Sequence, residues 1–599
     1  MEILDLVVIG AEIGWSGLAA LKTYHQVHPS ATLCLLESAS SVGGVWAKPR
    51  LWDGLKSNNM RGTYEFSDFP MDDSFGVKPG EHIPGHIIQS YLERYAEHFG
   101  VAPLIRLNSR VQVVDHHRPD GSWALTYLDM ATGETKEVLS RKLIIATGIT
   151  SQPYRPAIRG EESFDRPLFH SSELPKYHQS VLRQPSNHIV VLGGTKSAWD
   201  AVYTAATAGA TVDWIIRDNG HGPVWMAPPY VTPLHRWLEK LVTTRLLSWF
   251  SPCIWTDPVA DGGSRVRSFL HGTWLGRKIT DAFWSLLAND VVTRNRLAAH
   301  PETAKLTPWI SPFWVASGLS ILNYPTNFFD LVTSGQVRVH IDHIAHLSAH
   351  TVHLATSGTL DHVDALVVAS GWKPGPEIEF RPAATLPRDL GFPNAPDALP
   401  ASLVAAADQE ILARFPRLAT QPVHASPAPY AAIAPDAQTG SQARHPYRLA
   451  RFLVPPTPLG ASRTVAFMGV AMTINTALVV QTQALWIAAY FAHRLPLLPH
   501  EPCPPDLRAM LHKTAHVSPG MGADLLWETA LHSQFGVHRY PGGLGRRNPD
   551  FVFDVIPYVD LLLRDLGVRR ARKQGMKQWF EPHGMEDYGG VVEEWMSGN

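Results

Sequence analysis

Two stretches of this 599-residue sequence run from an apolar strand through a glycine turn into an Ala-rich helix, at Val7-Val8-Ile9-Gly10 and at Val190-Val191-Leu192-Gly193-Gly194. Further strand and helix signals alternate behind each, and alternation at this spacing predicts a parallel sheet with crossover helices. The predicted fold is therefore α/β, with two Rossmann-like dinucleotide-binding domains. The first is discontinuous, the second is inserted into it, and a helical, aromatic-rich insert is added. A chain of this length exceeds a single core, in keeping with two or three domains.

Taken in order, the first part of the first domain spans residues 1–175. It reads as the strand LDLVVIG, a helix from about Gly17, the strand ATLCLLES, a helix from about Pro84 to His98, and the strand KLIIATG. The second domain, 176–374, holds HIVVLGG, TVDWIIR, VRVHI and ALVVASG. Within it, at about 220–330, lie TRLLSWFSPCIW, ITDAFWSLL and TPWISPFWV, more aromatic than a crossover requires. This segment reads as a mostly helical cap, either a lid over an apolar substrate or ordinary core. Residues 375–495 read as an irregular Ala- and Pro-rich excursion to about Ser462, after which TVAFMGVA and a long helix complete the first domain. The apolar run from Thr476 to Ala492 is broken by Gln481 and Gln483 and falls short of the roughly 20 apolar residues of a membrane span, so it reads as a buried helix. Residues 496–599 form a C-terminal extension with one helical signal, VDLLLRDLGVRRARK.

Composition excludes several function classes. With 52 Lys+Arg against 54 Asp+Glu, no overall field steers the chain to nucleic acid or an anionic membrane, and a small neutral or apolar substrate fits better. No basic face is evident, although peripheral membrane contact stays open. The three cysteines, Cys34, Cys253 and Cys503, are far apart and form no CxxC pair, which argues against a disulfide framework, a structural metal site or a dithiol redox centre. An intracellular, cytoplasmic setting is expected, because the first strand begins at once without a basic n-region or cleavage site. Oligomeric state is not legible.

The first turn is Gly10-Ala11-Glu12-Ile13-Gly14-Trp15-Ser16-Gly17. Glycines let the backbone turn tightly and approach a pyrophosphate, whose charge meets free N–H groups at the helix N-terminus. Glu37 ends the next strand about 20 residues beyond Gly17, where its carboxylate suits a ribose diol. Against the usual G-x-G-x-x-G, this turn carries two extra residues, Glu12 and Ile13. A Glu12 carboxylate facing the pyrophosphate would repel it, so the pair is expected to bulge outward while Gly14, Trp15, Ser16 and Gly17 keep the phosphate register. The alternative is that nucleotide binding at this turn is damaged.

In the second turn, Thr195 and Ala198 occupy the later glycine positions, with Gly193, Gly194, Lys196 and Ser197 left as the phosphate loop. The next strand ends in Arg217 rather than an acid. Arginine there suits the 2′-phosphate of NADPH through charge-assisted hydrogen bonds, and Lys196 adds to that charge. A solvated strand-end arginine is the plainer reading of Arg217.

Together these residues resemble those of flavin-containing monooxygenases, from Val7 to about Ala492. Gly43, Gly44, Val45 and Trp46 resemble the family's run beside the flavin, and Ser57-Asn58-Asn59 with Phe66-Ser67-Asp68-Phe69-Pro70 resembles its asparagine-to-SDFP stretch. Ala146-Thr147-Gly148 and the variant Ala369-Ser370-Gly371-Trp372 are similar to its two ATG turns. The identifying FxGxxxHxxxF/Y motif survives only as Phe164 and His170, since Arg166 replaces its glycine and Leu174 its aromatic.

The resemblance implies bound FAD and NADPH, with a flavin C4a-hydroperoxide passing one oxygen atom from O2 to a small, largely apolar metabolite. The branch it resembles is that of fungal secondary-metabolite biosynthesis. Asn58 is implied as the polar group beside the reacting flavin, although a turn-forming asparagine is the alternative. His170 reads as a hydrogen-bonding linker residue rather than a catalyst. A Baeyer–Villiger oxygenase and a nucleotide-binding protein without turnover remain as rivals, whereas a disulfide reductase lacks its cysteine pair.

Overall fold

The computed structural model describes residues 2–598 except 11–13, 117–119, 232–235, 257–263, 316–317, 423–427, 430, 432–443, 496–498, 500, 514–521 and 547. The first sheet is built around Glu2–Gly10, whose run Leu6 to Ile9 is fully buried, as a central strand covered on both faces requires. This strand lies parallel between Leu33–Glu37 and the long strand Glu134–Ile145. Ile105–Arg106 extends the sheet beyond Leu33–Glu37, and Val465–Phe467 pairs in parallel with Leu143 to Ile145. That last pairing returns the chain to a sheet begun at residue 2, so the first domain is discontinuous. The opening half of Glu134–Ile145 instead pairs antiparallel with Trp123–Asp129, which continues through Ser109–Asp115 to an edge at Glu379–Arg381.

The second sheet is wholly parallel, in the order Val337–Ile341, Thr211–Ile216, His188–Leu192, Ala365–Val368, Leu168–His170. Its last strand precedes residue 176, so the chain enters this sheet ahead of that boundary. In His188–Leu192, Ile189 and Val191 join one apolar cluster while Val190 and Leu192 join another, the two-sided burial that a period of two produces. The helix Lys196–Thr207 covers one face, and the antiparallel strands Ile344–Ser348, Thr351–Leu354 and Thr359–Leu360 cover the other.

Between 220 and 330 the chain is mainly helical, through Leu238–Val242, Arg245–Ser248, Ser264–Gly272, Trp274–Arg294 and Pro301–Ala304. Trp225, Trp255, Trp284, Phe313 and Trp314 are buried in the same cluster as the first sheet, so most of these aromatic rings are core. The run after Thr476 is the helix Thr476–Phe491, with every residue but the first buried. Its glutamines are partnered: Gln481 accepts from Ser67 N at 3.1 Å, and Gln483 donates to Tyr558 Oη at 3.0 Å. Among the described residues no helix is long and apolar enough to cross a membrane.

Two regions differ from the sequence reading. The excursion after Pro374 is not irregular throughout, because Ala401–Arg414 is a helix with Leu403, Ala407 and Ile411 buried at every fourth position, in contact with the helix Ala523–Arg539. Alanine is the commonest residue at its remaining positions and blurs the apolar period. The C-terminal extension is integral to the core, since Ala523–Arg539 and Val555–Asp565 share a cluster with Val7 and Leu35. Ala523–Arg539 buries polar residues such as Glu528, His532 and Gln534 as well as apolar ones, so no amphipathic stripe betrays it. Val555–Asp565 ends well before VRRARK, with Gly567 at φ +71° and Val568 N donating to Leu563 O at 3.1 Å. A buried Arg245–Asp560 ion pair ties the helical insert to this extension.

Candidate functional site

Strand register sets the first turn. Gly10 stands opposite Glu37 on the neighbouring parallel strand, so the carboxylate lies beside the mouth of the glycine turn. Glu37 is fully buried and accepts from Ala39 N at 2.6 Å and Ser38 Oγ at 3.2 Å. The helix Trp15–Val27 begins after Gly14, leaving the N–H groups of Trp15, Ser16 and Gly17 without an intrahelical acceptor. The Trp15 ring turns into the core, with centroids 4.4 Å from Tyr64 and 4.9 Å from Phe66, so only its backbone faces the turn. Glu12 and Ile13, whose outward bulge the sequence suggests, lie outside the described residues.

Three further segments close on this helix end. A Cβ on Gly14 would stand 3.4 Å from Gly43 O and 3.6 Å from Gly44 Cα. Gly43 and Gly44 hold φ +144° and +65°, and a Cβ on Gly43 would lie 2.5 Å from Ala47 N. A Cβ on Gly469, at φ +74°, would lie 2.8 Å from Ser16 Oγ and 3.5 Å from Gly148 Cα. Gly148 itself holds φ +67° and follows the buried Thr147. Bare backbone from four distant segments thus converges on a helix N-terminus, a concavity that fits a pyrophosphate, with Glu37 placed for an adjoining ribose. In the same GGVW run Val45 is exposed, and Trp46 Nε1 reaches Tyr64 Oη at 3.4 Å, so the glycines are the part that meets the helix. Gly469 was not singled out from sequence, although TVAFMG repeats the strand-then-glycine pattern of VVIG and IIATG.

The asparagine pair divides in role. Asn59 is consumed internally, donating to Glu239 Oε1 at 2.5 Å and Ile474 O at 2.8 Å. Asn58 donates to Ser320 Oγ at 3.3 Å, while its Oδ1 is buried with no hydrogen-bond partner. One end of that amide is therefore committed to no protein group. Glu239 was also missed from sequence, because its partners come from elsewhere in the chain. Burial pushes its carboxyl up to about 7, against hydrogen bonds from Trp237, Thr63, Met60 N and Asn59 that favour the ionised form.

The second turn is packed by its own chain. A Cβ on Gly193, at φ +141°, would stand 2.6 Å from Ala369 O, and one on Gly194 would strike Gly222 O. Thr195 precedes the helix Lys196–Thr207, and Ser197 in its first turn is half-buried. Lys196 is not free for a phosphate: its ammonium pairs with Asp200 one turn along and lies 3.3 Å from Tyr324 Oη. Arg217 is half-buried and donates to Asn219 Oδ1 at 3.0 Å and Ala431 O at 3.1 Å. Below it in the strand, the buried Asp213 accepts from His188 Nε2 at 2.6 Å, from His340 Nε2 at 2.7 Å and from Arg338.

His170 acts as a cap. Its Nδ1 accepts from Ser172 N at 3.1 Å, and burial, aided by the nearby Arg50 charge, holds its ring down to about 4 and hence neutral. A cavity of about 280 Å³ opens beyond the asparagine strand, lined by Gly62 and Thr63, Lys240 and Thr243 of the insert, Asn475 and Leu478, and residues 581–586 of the C-terminal extension with Lys573. Among the described residues no cluster could hold a metal ion, and all three cysteines are free and buried.

A family model described as pyridine nucleotide-disulphide oxidoreductase matches residues 66–244. An FAD-dependent monooxygenase of Aspergillus nomiae is 32% identical over 99% of this chain and 98% of its own. Another, from Pyrenophora dematioidea, is 32% identical over 95% of this chain and 99% of its own. Among solved structures, an open form of cyclohexanone monooxygenase superposes with a TM-score of 0.53 at 16% identity, covering 90% of this chain and 99% of that one. That likeness establishes a shared fold.

Proposed function

The chain belongs to the FAD-dependent monooxygenases, which take electrons from NADPH, and from that premise we propose that it inserts one oxygen atom into a small metabolite by hydroxylation, epoxidation or heteroatom oxidation. FAD, reduced by NADPH, supplies the activation of O2. The observation that carries the residue assignment is the convergence of Gly14, Gly43, Gly148 and Gly469 beside Glu37. There the N–H groups of Trp15, Ser16 and Gly17 hold the pyrophosphate and Glu37 accepts from the ribose. The turn from Gly193 to Ser197 takes the NADPH pyrophosphate, and Arg217 takes the 2′-phosphate. Lys196 contributes through its backbone, its side chain being paired.

Asn58 orients the reacting centre through the amide end that no protein group uses. The cavity near this strand admits the substrate: Gly62 and Thr63 lie in the turn that follows the strand Lys56–Met60, which carries Asn58, and Asn475 follows the Ile474 carbonyl that Asn59 holds. Leu478, Pro582 and Met585 suit an apolar body, while Thr63, Asn475 and Lys240 suit a polar end. The proposed substrate is thus amphiphilic, and its setting, on the resemblance to fungal enzymes, is secondary metabolism. Four parts of the chain wall this cavity.

The test is coupling. In FAD-loaded Asn58→Ala, product formed per NADPH consumed should fall about tenfold, the worth of one strong hydrogen bond, while NADPH oxidation persists. Unchanged coupling removes Asn58 from this role. An ester formed from a ketone substrate would replace the proposed chemistry with Baeyer–Villiger insertion.

A further inference from the structure

The helical insert leaves apolar residues facing solvent in a pattern. In Trp274–Arg294 the buried positions include Gly276, Thr280, Trp284 and Val291, the stripe that seats the helix. A second stripe, Leu275, Ile279, Ala282 and Leu286, recurs at i, i+4, i+7 and i+11 and is exposed, Leu286 by 59%. Trp274, at its start, is 68% exposed. The preceding helix Ser264–Gly272 adds exposed Val266 and Phe269, and the two helices cross at Gly276, where a Cβ would strike the Phe269 carbonyl.

This hairpin continues into a second exposed set. Arg267 donates to Ser251 O at 2.6 Å and His271 Nε2 lies 3.0 Å from Trp249 O, so the hairpin packs on residues 248–251. The short helix Lys577–Phe580 packs on Arg245–Ser248, with the Trp249 and Trp579 rings 6.1 Å apart. It presents Met576, 72% exposed, and Phe580. Single exposed apolar residues are ordinary, but a run of them across adjoining elements marks a contact surface.

Charge identifies the partner. Lys278 borders the stripe and Arg265 lies beside Val266 on the preceding helix, and neither pairs with a carboxylate among the described residues, whereas Asp281 of the hairpin is paired with Arg417. Lys577 extends this rim, with Glu581 3.5 Å from its ammonium. The chain carries a formal net charge of -2, so the cationic border is local, which is why whole-chain composition hides it. A second copy docked here across a twofold axis would bring the like-charged Arg265 and Lys278 borders of the two copies together. An anionic bilayer satisfies both features, taking the aliphatic stripe into the acyl boundary, the tryptophan at headgroup level and the cations against lipid charge. We propose that this face docks the protein peripherally on an anionic membrane surface.

The test uses the FAD-loaded full chain and sedimentation with two vesicle types, phosphatidylcholine alone and phosphatidylcholine with about a third phosphatidylserine. The protein should sediment with the anionic vesicles and be released by salt. Leu275→Ser with Leu286→Ser should weaken the partition about tenfold or more. Arg265→Glu with Lys278→Glu should remove the preference for anionic lipid. Both variants should keep the flavin spectrum and Tm of the parent, since the altered side chains are exposed. Failure of the parent to sediment with either vesicle overturns the proposal, as does undiminished binding of the serine variant. A dimer in analytical ultracentrifugation that the serine variant dissociates assigns the face to a second copy instead.

Discussion

Replacing Gly469 with alanine probes the cradle where a distant segment meets the helix end. The residue holds φ +74°, a conformation that costs an L-residue about 1–2 kcal/mol. Its new Cβ would stand 2.8 Å from Ser16 Oγ, inside contact distance, and overpacking of that kind costs about 1–3 kcal/mol. The penalty falls on the closed cradle, so it is read as lost stability of the apoprotein together with lost FAD affinity. At 1.4 kcal/mol per factor of ten, a total of about 2–5 kcal/mol corresponds to a loss of roughly thirtyfold to several thousandfold, shared between the two. Denaturant unfolding of the apoprotein and fluorescence titration with FAD measure both parts. Ser16→Ala in the same chain removes the Oγ contact and should recover about 1 kcal/mol or more, leaving mainly the backbone strain. A Gly469→Ala protein equal to the parent in both assays, or no recovery in the double variant, would refute the reasoning.

Arg217→Gln should raise KM for NADPH about ten- to a hundredfold and leave NADH nearly unaffected, the value of a charge-assisted hydrogen bond of about 1.5–3 kcal/mol; steady-state kinetics with both nucleotides decide it. Asp213→Asn should lower stability by about 1.5–3 kcal/mol, because His188, His340 and Arg338 lose their shared carboxylate. The hydrogen bond to Asp213 raises the His188 ring above 6.5 despite burial, so that part of the stabilisation is complete below pH 6.5 and fades as pH rises through the raised value. Burial alone would raise Asp213, but its three donors outweigh burial and hold it well below the usual carboxylate range, so its contribution is present above about pH 4 and is lost only in strong acid. Unfolding curves for parent and variant should therefore differ most near pH 5–6. Arg245→Met should destabilise by about 3–5 kcal/mol by stranding Asp560, and Arg245→Met with Asp560→Leu should cost much less; equal losses would remove the buried pair from the account.

The parts legible in the sequence were those fixed by local pattern. Gly10 and Glu37 end adjacent parallel strands, so a strand, a glycine turn and an acid at the right interval sufficed to set them opposite each other. The meeting of Ser16, Gly148 and Gly469 was not legible, because it depends on Val465–Phe467 pairing with a strand more than 300 residues earlier. Trp15 sits in a phosphate turn by sequence, yet helix phase sends its ring to Tyr64 and Phe66. The pairing of Lys196 was visible in principle as a Lys-to-Asp spacing of one helical turn, but the pull of a nearby phosphate loop hid it. The exposed stripe of Trp274–Arg294 was not legible because apolar residues line both of its sides, and only packing tells which side is covered.

The central claim is that this chain uses NADPH and FAD to place one atom of O2 in a small molecule. Incubating the FAD-loaded protein with NADPH, heavy-isotope O2 and the metabolite extract of a producing organism that lacks this protein tests it directly. The account predicts that a component of the extract gains a single heavy oxygen only when NADPH is present, and that Gly469→Ala supports less of it. NADPH left unconsumed and no labelled product would contradict the account and leave a nucleotide-binding protein without turnover.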